Sequence, residues 1–324
     1  MSKDWIVVGV DGTNGGDAAV RWAAQEASRS GRPVKLLHVA PQLAESVALE
    51  GELPPTGEQA HERMLVEAAA TVRRTLGDAA PDRVLTEVAL GGRSAHLLAA
   101  GADGSLVVLG RSSHRLLDRL ARSHIRTKVT ARARVPVVVV PAEASGAGDG
   151  PVVLGVKDLD SGEQLIDRAM ALAAERGARL ILLHAWQVPV LSDDLEASRS
   201  LQAEDRARQK LMELRRLRTR RHERRLGVPV RIDVLHGRAD EVLAAVTATA
   251  AMVVLGRDPL ANARGHLGAT SRYVLRKSRC PVVVMPLGAT RQGESGVLGR
   301  AGATLQAAAH RRSPLGLASS PQDR

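Results

Sequence analysis

Along this chain, short apolar runs alternate with longer stretches in which apolar residues return every three or four positions. WIVVGV (5–10), VKLLHV (34–39), VLTEVAL (84–90), SLVVLG (105–110) and VPVVVV (135–140) are rich in β-branched residues and have the length of strands. Between them, DAAVRWAAQEAS carries apolar positions at helical spacing and stops before Gly31. A Pro/Gly-rich loop at 53–57 leads into a helix expected from about Glu58 to Leu76, and another is expected from near Ser94 to near Gly101. A last helix precedes VPVVVV. Continuous apolar strands separated by helices predict an α/β fold, with a mostly parallel sheet covered on both faces.

The pattern then starts again. RSGRPVKLLHV returns as ERGARLILLHA, so that Gly31 answers Gly177 and His38 answers His184, both 146 residues later. The same spacing carries Gly91 onto Gly237 and LVVLGR onto MVVLGR, with Gly110 on Gly256. Pro136 and Pro281, which open the last strands, are 145 apart, so the second copy is one residue shorter between Gly256 and Pro281. ASGAGDG, ending at Gly150, reads as a linker. After Leu287 the chain has few large apolar residues and no sustained period, so 288–324 is expected to be a disordered tail.

At 324 residues the chain suits two domains, each able to bury a core. No run approaches the roughly 20 apolar residues of a membrane helix, and the N-terminus lacks the make-up of a signal peptide, so a cytoplasmic protein is expected. Cys280 is the one cysteine and precedes an apolar run, which reads as a buried structural thiol; no Cys/His cluster has zinc spacing. The net charge of +11 permits phosphate-bearing or acidic partners. With no Phe, one Tyr and three Trp, stacking platforms for single-stranded nucleic acid are scarce. The densest basic run, DRARQKLMELRRLRTRRHERR, includes Arg215, Arg216, Arg220 and Arg221. Ala207, Leu211 and Leu214 give it an apolar stripe, so it reads as an amphipathic helix with a solvated basic face, or as an electrostatic surface. No nucleic-acid motif accompanies it, and nucleic acid is not the expected partner.

In an open α/β sheet, ligands sit beyond the carboxyl ends of the strands. Asp11 follows the first strand, where a carboxylate takes a ribose hydroxyl or a metal ion in one reading and caps the next helix in the other. Gly110 ends the fourth strand and has no side chain to hold a phosphate off. Arg111, Ser113, His114 and Arg115 follow it, as anion donors or as a solvated basic cap. His38 and His184 recur at strand ends, and no Ser or Cys beside them has an activating context, so a structural role outranks a catalytic one.

GVDGT, AAVRWAAQEA, LLHV, VVLGR and VPVVVV, in this order and duplicated, resemble a tandem universal stress protein over about 5–141 and 151–286. The resemblance implies two Rossmann-like (adenine nucleotide alpha hydrolase-like) domains, 1–143 and 151–287, joined by a linker at 144–150. Each would hold a five-stranded mostly parallel sheet with helices on both faces. One branch of the family binds ATP through Gly, two residues, Gly, nine residues, Gly, then Ser or Thr. The first copy keeps Gly110, has Ser113 and Ser123 for the next glycines and His124 for the hydroxyl residue. Asp11 and Val39 stand where the family's ribose and adenine contacts fall, which makes this copy the candidate for ATP with magnesium. The second keeps Gly256, has Pro259 and Gly268, ends on Ala269, and carries Lys157 for Asp11, so its site reads as vestigial. In the family the last strands form a dimer seam, which implies intramolecular pairing of the two copies here and leaves a further homodimer open. The expected role is a stress-response regulatory module with a protein partner, rather than a catalyst. A slow ATPase or ATP sensor using the first copy, and a binder acting through the basic surface, are the alternatives.

Overall fold

In a sheet with helices on both faces, the inner strands have no solvent side, and the inner strands here are apolar without alternation. β5 (Val137–Pro141) and β10 (Val282–Pro286) bury nearly every residue, and β1 (Trp5–Gly9) and β4 (Gly104–Arg111) bury theirs except at the strand ends. The structure is a computed structural model that describes residues 4–40, 56–77, 81–112, 122–144, 148–157, 162–187, 205, 208–209, 212, 227–257 and 266–287. The expected tail at 288–324 and Arg215, Arg216, Arg220 and Arg221 lie outside the described residues.

The first half adds β2 (Val34–Ala40) and β3 (Val84–Leu90), and the second β6 (Val152–Gly155), β7 (Leu180–Trp186), β8 (Val230–His236) and β9 (Met252–Arg257). All ten strands form one sheet in the order β3-β2-β1-β4-β5-β10-β9-β6-β7-β8. Every pairing within a half is parallel. The seam is antiparallel, with Val137, Val138 and Val139 of β5 opposite Val284, Val283 and Val282 of β10. Without that seam each half would expose a valine-rich edge strand, the kind of edge that invites uncontrolled pairing.

The helices are α1 (Asn14–Ser30), α2 (Thr56–Leu76), α3 (Arg93–Ala102) and α4 (Arg122–Arg132) in the first half, then α5 (Gly162–Glu175), α6 (Ala239–Val246) and α7 (Ala269–Lys277) in the second. α1 shows how local chemistry sets the bounds. The Thr13 hydroxyl accepts from Gly16 N at its start, and Gly31, at φ 72°, ends it in the left-handed region that favours glycine. Its buried stripe is mostly alanine and glycine, so the helix lies close on the sheet. α1, α2 and α5 cover one face and α3, α4, α6 and α7 the other, and both core layers run through the two halves without a break. Among the described residues, no helix is long and apolar enough to cross a membrane. Cys280 is buried, and burial pushes its thiol up to about 12, which makes it inert at neutral pH.

Polar contacts across the seam join the halves beyond their valines. Arg111, at the end of β4, donates to the carbonyls of Arg276, at 3.0 Å, and Ser278 at the C-terminus of α7. Arg257, its counterpart at the end of β9, donates to the Thr130 carbonyl in α4 at 3.0 Å. Each arginine meets the carbonyl-rich, negative end of a helix in the opposite half. On the other face, Glu26 of α1 is 1% exposed and accepts from Arg176, just beyond α5, at 2.5 Å, with Arg32 at 3.0 Å and Arg29 at 3.2 Å. The Arg176 guanidinium also lies 5.9 Å from the Trp22 ring centroid. Burial alone would push the Glu26 carboxyl up. Arg176, Arg32 and Arg29 together outweigh it and hold the carboxyl below its ordinary value.

Glu26 is the carboxylate that three guanidinium groups share, and the most buried of them, Arg176, would keep only Glu175 at 3.9 Å, so Glu26→Ala is expected to cost about 3 kcal/mol in urea unfolding at pH 7. Because the folded carboxyl titrates below 4.5, its contribution is complete above that pH and fades as the pH falls through the folded value. The gap between wild type and Glu26→Ala should therefore narrow in acid; equal stability at pH 7 would contradict the assignment.

Candidate functional site

The carboxyl ends of β1, β2 and β4 converge in the first half, and with them Asp11, Val39 and Gly110. These three line one cavity of about 100 Å3, walled by apolar side chains that include Leu97 of α3 and Ile125 of α4. Its size is below the roughly 300–1,000 Å3 of ordinary small-molecule pockets, and its apolar walls suit one flat ring rather than a whole nucleotide. Arg93, opening α3, and Arg126, in the first turns of α4, bring positive charge to the same space. Ser123 and His124 fall in the first turn of α4, which carries no acidic residue and presents a helix N-terminus to the site. Their side chains, and all of Ser113, His114 and Arg115, lie outside the described residues.

Asp11 does cap-like work. Its Oδ1 accepts from the Thr13 backbone N at 3.1 Å and from the Thr13 hydroxyl at 2.6 Å, and Thr13 in turn caps α1. The Val39 carbonyl accepts from Arg93 Nε at 3.3 Å, and the Gly110 carbonyl from Arg126 at 3.4 Å. Both bonds are long, so a ligand donor can compete for either carbonyl.

Gly110 is required for a reason the sequence does not display. A Cβ there would lie 2.1 Å from the Gly15 carbonyl carbon and 2.5 Å from Gly16 N, because the start of α1 presses on the end of β4. The missing side chain makes room for the protein's own backbone. Gly256 makes room for side chains instead, since its Cβ would meet Leu165 Cδ1 at 2.5 Å and Leu287 Cδ1 at 3.0 Å. Arg111, read from sequence as an anion donor, instead reaches the end of α7 across the seam. Arg93, Arg126 and Gly15 are the residues sequence reasoning missed; the Gly15-Gly16 pair next to Asp11 was the available signal for the last.

His38 and His184 hold matching places. The Nδ1 of His38 lies 2.8 Å from the Val10 carbonyl and that of His184 2.9 Å from the Val156 carbonyl, each tying the second strand of its half to the first. Burial, outweighing the Val10 hydrogen bond, holds the His38 pKa below its usual value, so the neutral ring donates from Nδ1 and stacks 4.5 Å from His61. In the second half Lys157 replaces Asp11, and Gly268 opens α7 without a side-chain cap. Among the described residues, no group of three or more His, Cys, Asp or Glu side chains could hold a metal ion.

The duplicated order of strands and the shared geometry at their ends agree with a family model, described as the universal stress protein family, that matches residues 4–141 and again 150–286. The chain belongs to the universal stress protein family. A universal stress protein of Mycolicibacterium smegmatis is 32% identical over 186 residues, covering 56% of this chain and 63% of that protein. Universal stress protein Rv2005c of Mycobacterium tuberculosis is 27% identical over 292 residues, covering 86% and 96%. Among solved structures, a universal stress protein from Archaeoglobus fulgidus superposes with a TM-score of 0.59 at 15% identity, covering 88% of this chain and 97% of that one. This last likeness concerns the fold.

The two glycines separate by what they abut. Gly110→Ala drives a Cβ into backbone and is expected to cost more than about 3 kcal/mol, whereas Gly256→Ala meets the ends of leucine side chains that can turn aside and is expected to cost about 1 kcal/mol. Chemical denaturation of the two variants checks the order; equal losses would contradict the packing described.

Proposed function

We propose that this universal stress protein is a cytoplasmic, non-catalytic stress-response module that takes an adenine nucleotide, with its magnesium ion, in the first half only, and signals to a regulatory protein partner. The observation that carries the reading is the single cavity that gathers Asp11, Val39, Gly110, Arg93 and Arg126. Its apolar walls suit the base. Asp11 stands at the ribose side, and the guanidinium groups with the α4 N-terminus stand where phosphate charge would run. The donor set fits the ligand in the first half and not in the second, where Lys157 puts an ammonium in place of the carboxylate.

Binding rather than turnover is the favoured role. Among the described residues, Asp11 is the only acid lining the cavity, its Oδ1 is already engaged by Thr13, and no second carboxylate stands beside it to activate a water. The second half then serves as scaffold, completing the sheet at the seam.

Calorimetric titration of magnesium–ATP into the full chain is expected to give one site. Ile125→Trp, which fills the cavity, and Asp11→Ala should each weaken binding at least tenfold, while Lys157→Ala leaves it unchanged. Absence of binding, two sites per chain, or indifference to Ile125→Trp would overturn the reading.

A further inference from the structure

α4 and α7 cover the same face of the sheet on either side of the seam. Val129 and Ala131 of α4 and Val274 and Leu275 of α7 pack into one core layer with the seam residues Val137, Val139, Val282 and Val284. Outward, both helices carry charge of one sign. Lys128, Arg132 and Arg134 are exposed in and just after α4, and Arg272, Lys277 and Arg279 in and just after α7. Residues 122–136 and 266–281 contain no Asp or Glu, and none of these cations forms an ion pair with a described residue. On the neighbouring helices of this face, Asp103 follows α3, and Asp240 and Glu241 open α6, where Arg238 already engages them at 2.9 and 3.5 Å.

The repeat makes the two clusters equivalent. Its 145-residue spacing sets Arg132 on Lys277 and Arg134 on Arg279, so both obey the near two-fold relation of the halves. Because β5 and β10 run antiparallel, the clusters stand at opposite ends of the seam, with Arg134 and Arg279 about eight strand positions, roughly 25 Å, apart. A cation at the C-terminus of a helix ordinarily answers that helix's own carbonyls. Here Arg111 and Arg257 already reach those carbonyls from the opposite half, which leaves the exposed cations to an anion outside the fold.

We propose that this face binds the phosphate backbone of duplex DNA, laid along the seam between the two clusters, without reading its sequence. A duplex carries one negative charge per about 1.7 Å of axis and has its own two-fold relation between strands, so it meets both clusters alike. Among the described residues, no large apolar side chain of α4 or α7 is exposed, which denies a protein partner or a membrane its apolar anchor. Tyr273 of α7 lies under the Arg276 guanidinium at 5.4 Å, so its ring is not free to stack the bases of a single strand. The lack of a recognition motif excludes base readout and leaves phosphate contacts open. None of these cations lines the nucleotide cavity, and the two sites are independent.

Fluorescence anisotropy with the full chain and an arbitrary duplex tests this surface. Binding is expected to weaken about a hundredfold between about 50 and 200 mM salt, the dependence of about four neutralised phosphates. Arg132→Gln with Arg134→Gln, and Lys277→Gln with Arg279→Gln, should each weaken binding at least tenfold and lower the slope of log K against log salt by about 2, with an unchanged thermal melt. Either pair stands in if the other fails to fold. A single strand of the same length, and poly-glutamate at equal charge, should each bind at least tenfold more weakly than the duplex. No binding, salt-independent binding, indifference to both paired variants, a loss confined to variants of Arg215, Arg216, Arg220 and Arg221, or equal binding of the single strand or of poly-glutamate would overturn the proposal.

Discussion

The antiparallel pairing of β5 with β10 is the constraint from which the rest of the molecule follows. Each half ends on a valine-rich strand whose outer edge needs hydrogen-bond partners, and each supplies the other's. That pairing fixes the near two-fold relation of the halves, sets Arg111 and Arg257 against helix ends across the seam, and brings α1 and α5 close enough for Arg176 to reach Glu26. A buried carboxylate with three arginines is a poor source of net stability by itself, because desolvation offsets much of the attraction. Its contribution here is geometric, since it ties α1 of one half to the end of α5 in the other.

A fixed scaffold lets the copies diverge where they are not needed for folding. Both retain the strand-end histidine, the glycine at the end of the fourth strand and the arginine after it, all of which the structure explains by packing or by the seam. The copies differ elsewhere on the sheet. Lys157 stands for Asp11 at one end of the second half's sheet, and Ile181 stands for Lys35 near the other. The strand ends of the first half face a small cavity lined by one carboxylate and two guanidinium groups.

Strand positions, the parallel order within each half and the duplication were all legible in the sequence, because apolar runs and a fixed spacing report directly on burial. The site was legible less well. Asp11 and Val39 could be placed because strand ends are where such sheets bind ligands, but Arg93 and Arg126 belong to helices whose approach depends on tertiary packing. Gly110 and Arg111 invited a phosphate reading, since glycine followed by arginine is suitable chemistry for one. Only the fold shows that the start of α1 needs the glycine and that a helix end from the other half takes the arginine. Glu26 gave no signal either: its partner, Arg176, lies 150 residues away in the other copy.

The central claim is that one half binds while the other supports. Hydrogen exchange of the full chain, with and without saturating magnesium–ATP, tests it most directly because it reads both halves in one experiment. The account predicts added protection at the ends of β1, β2 and β4 and in the first turns of α3 and α4, with no matching change around Lys157 and Gly256. Equal protection in both halves, or none in the first, would contradict it.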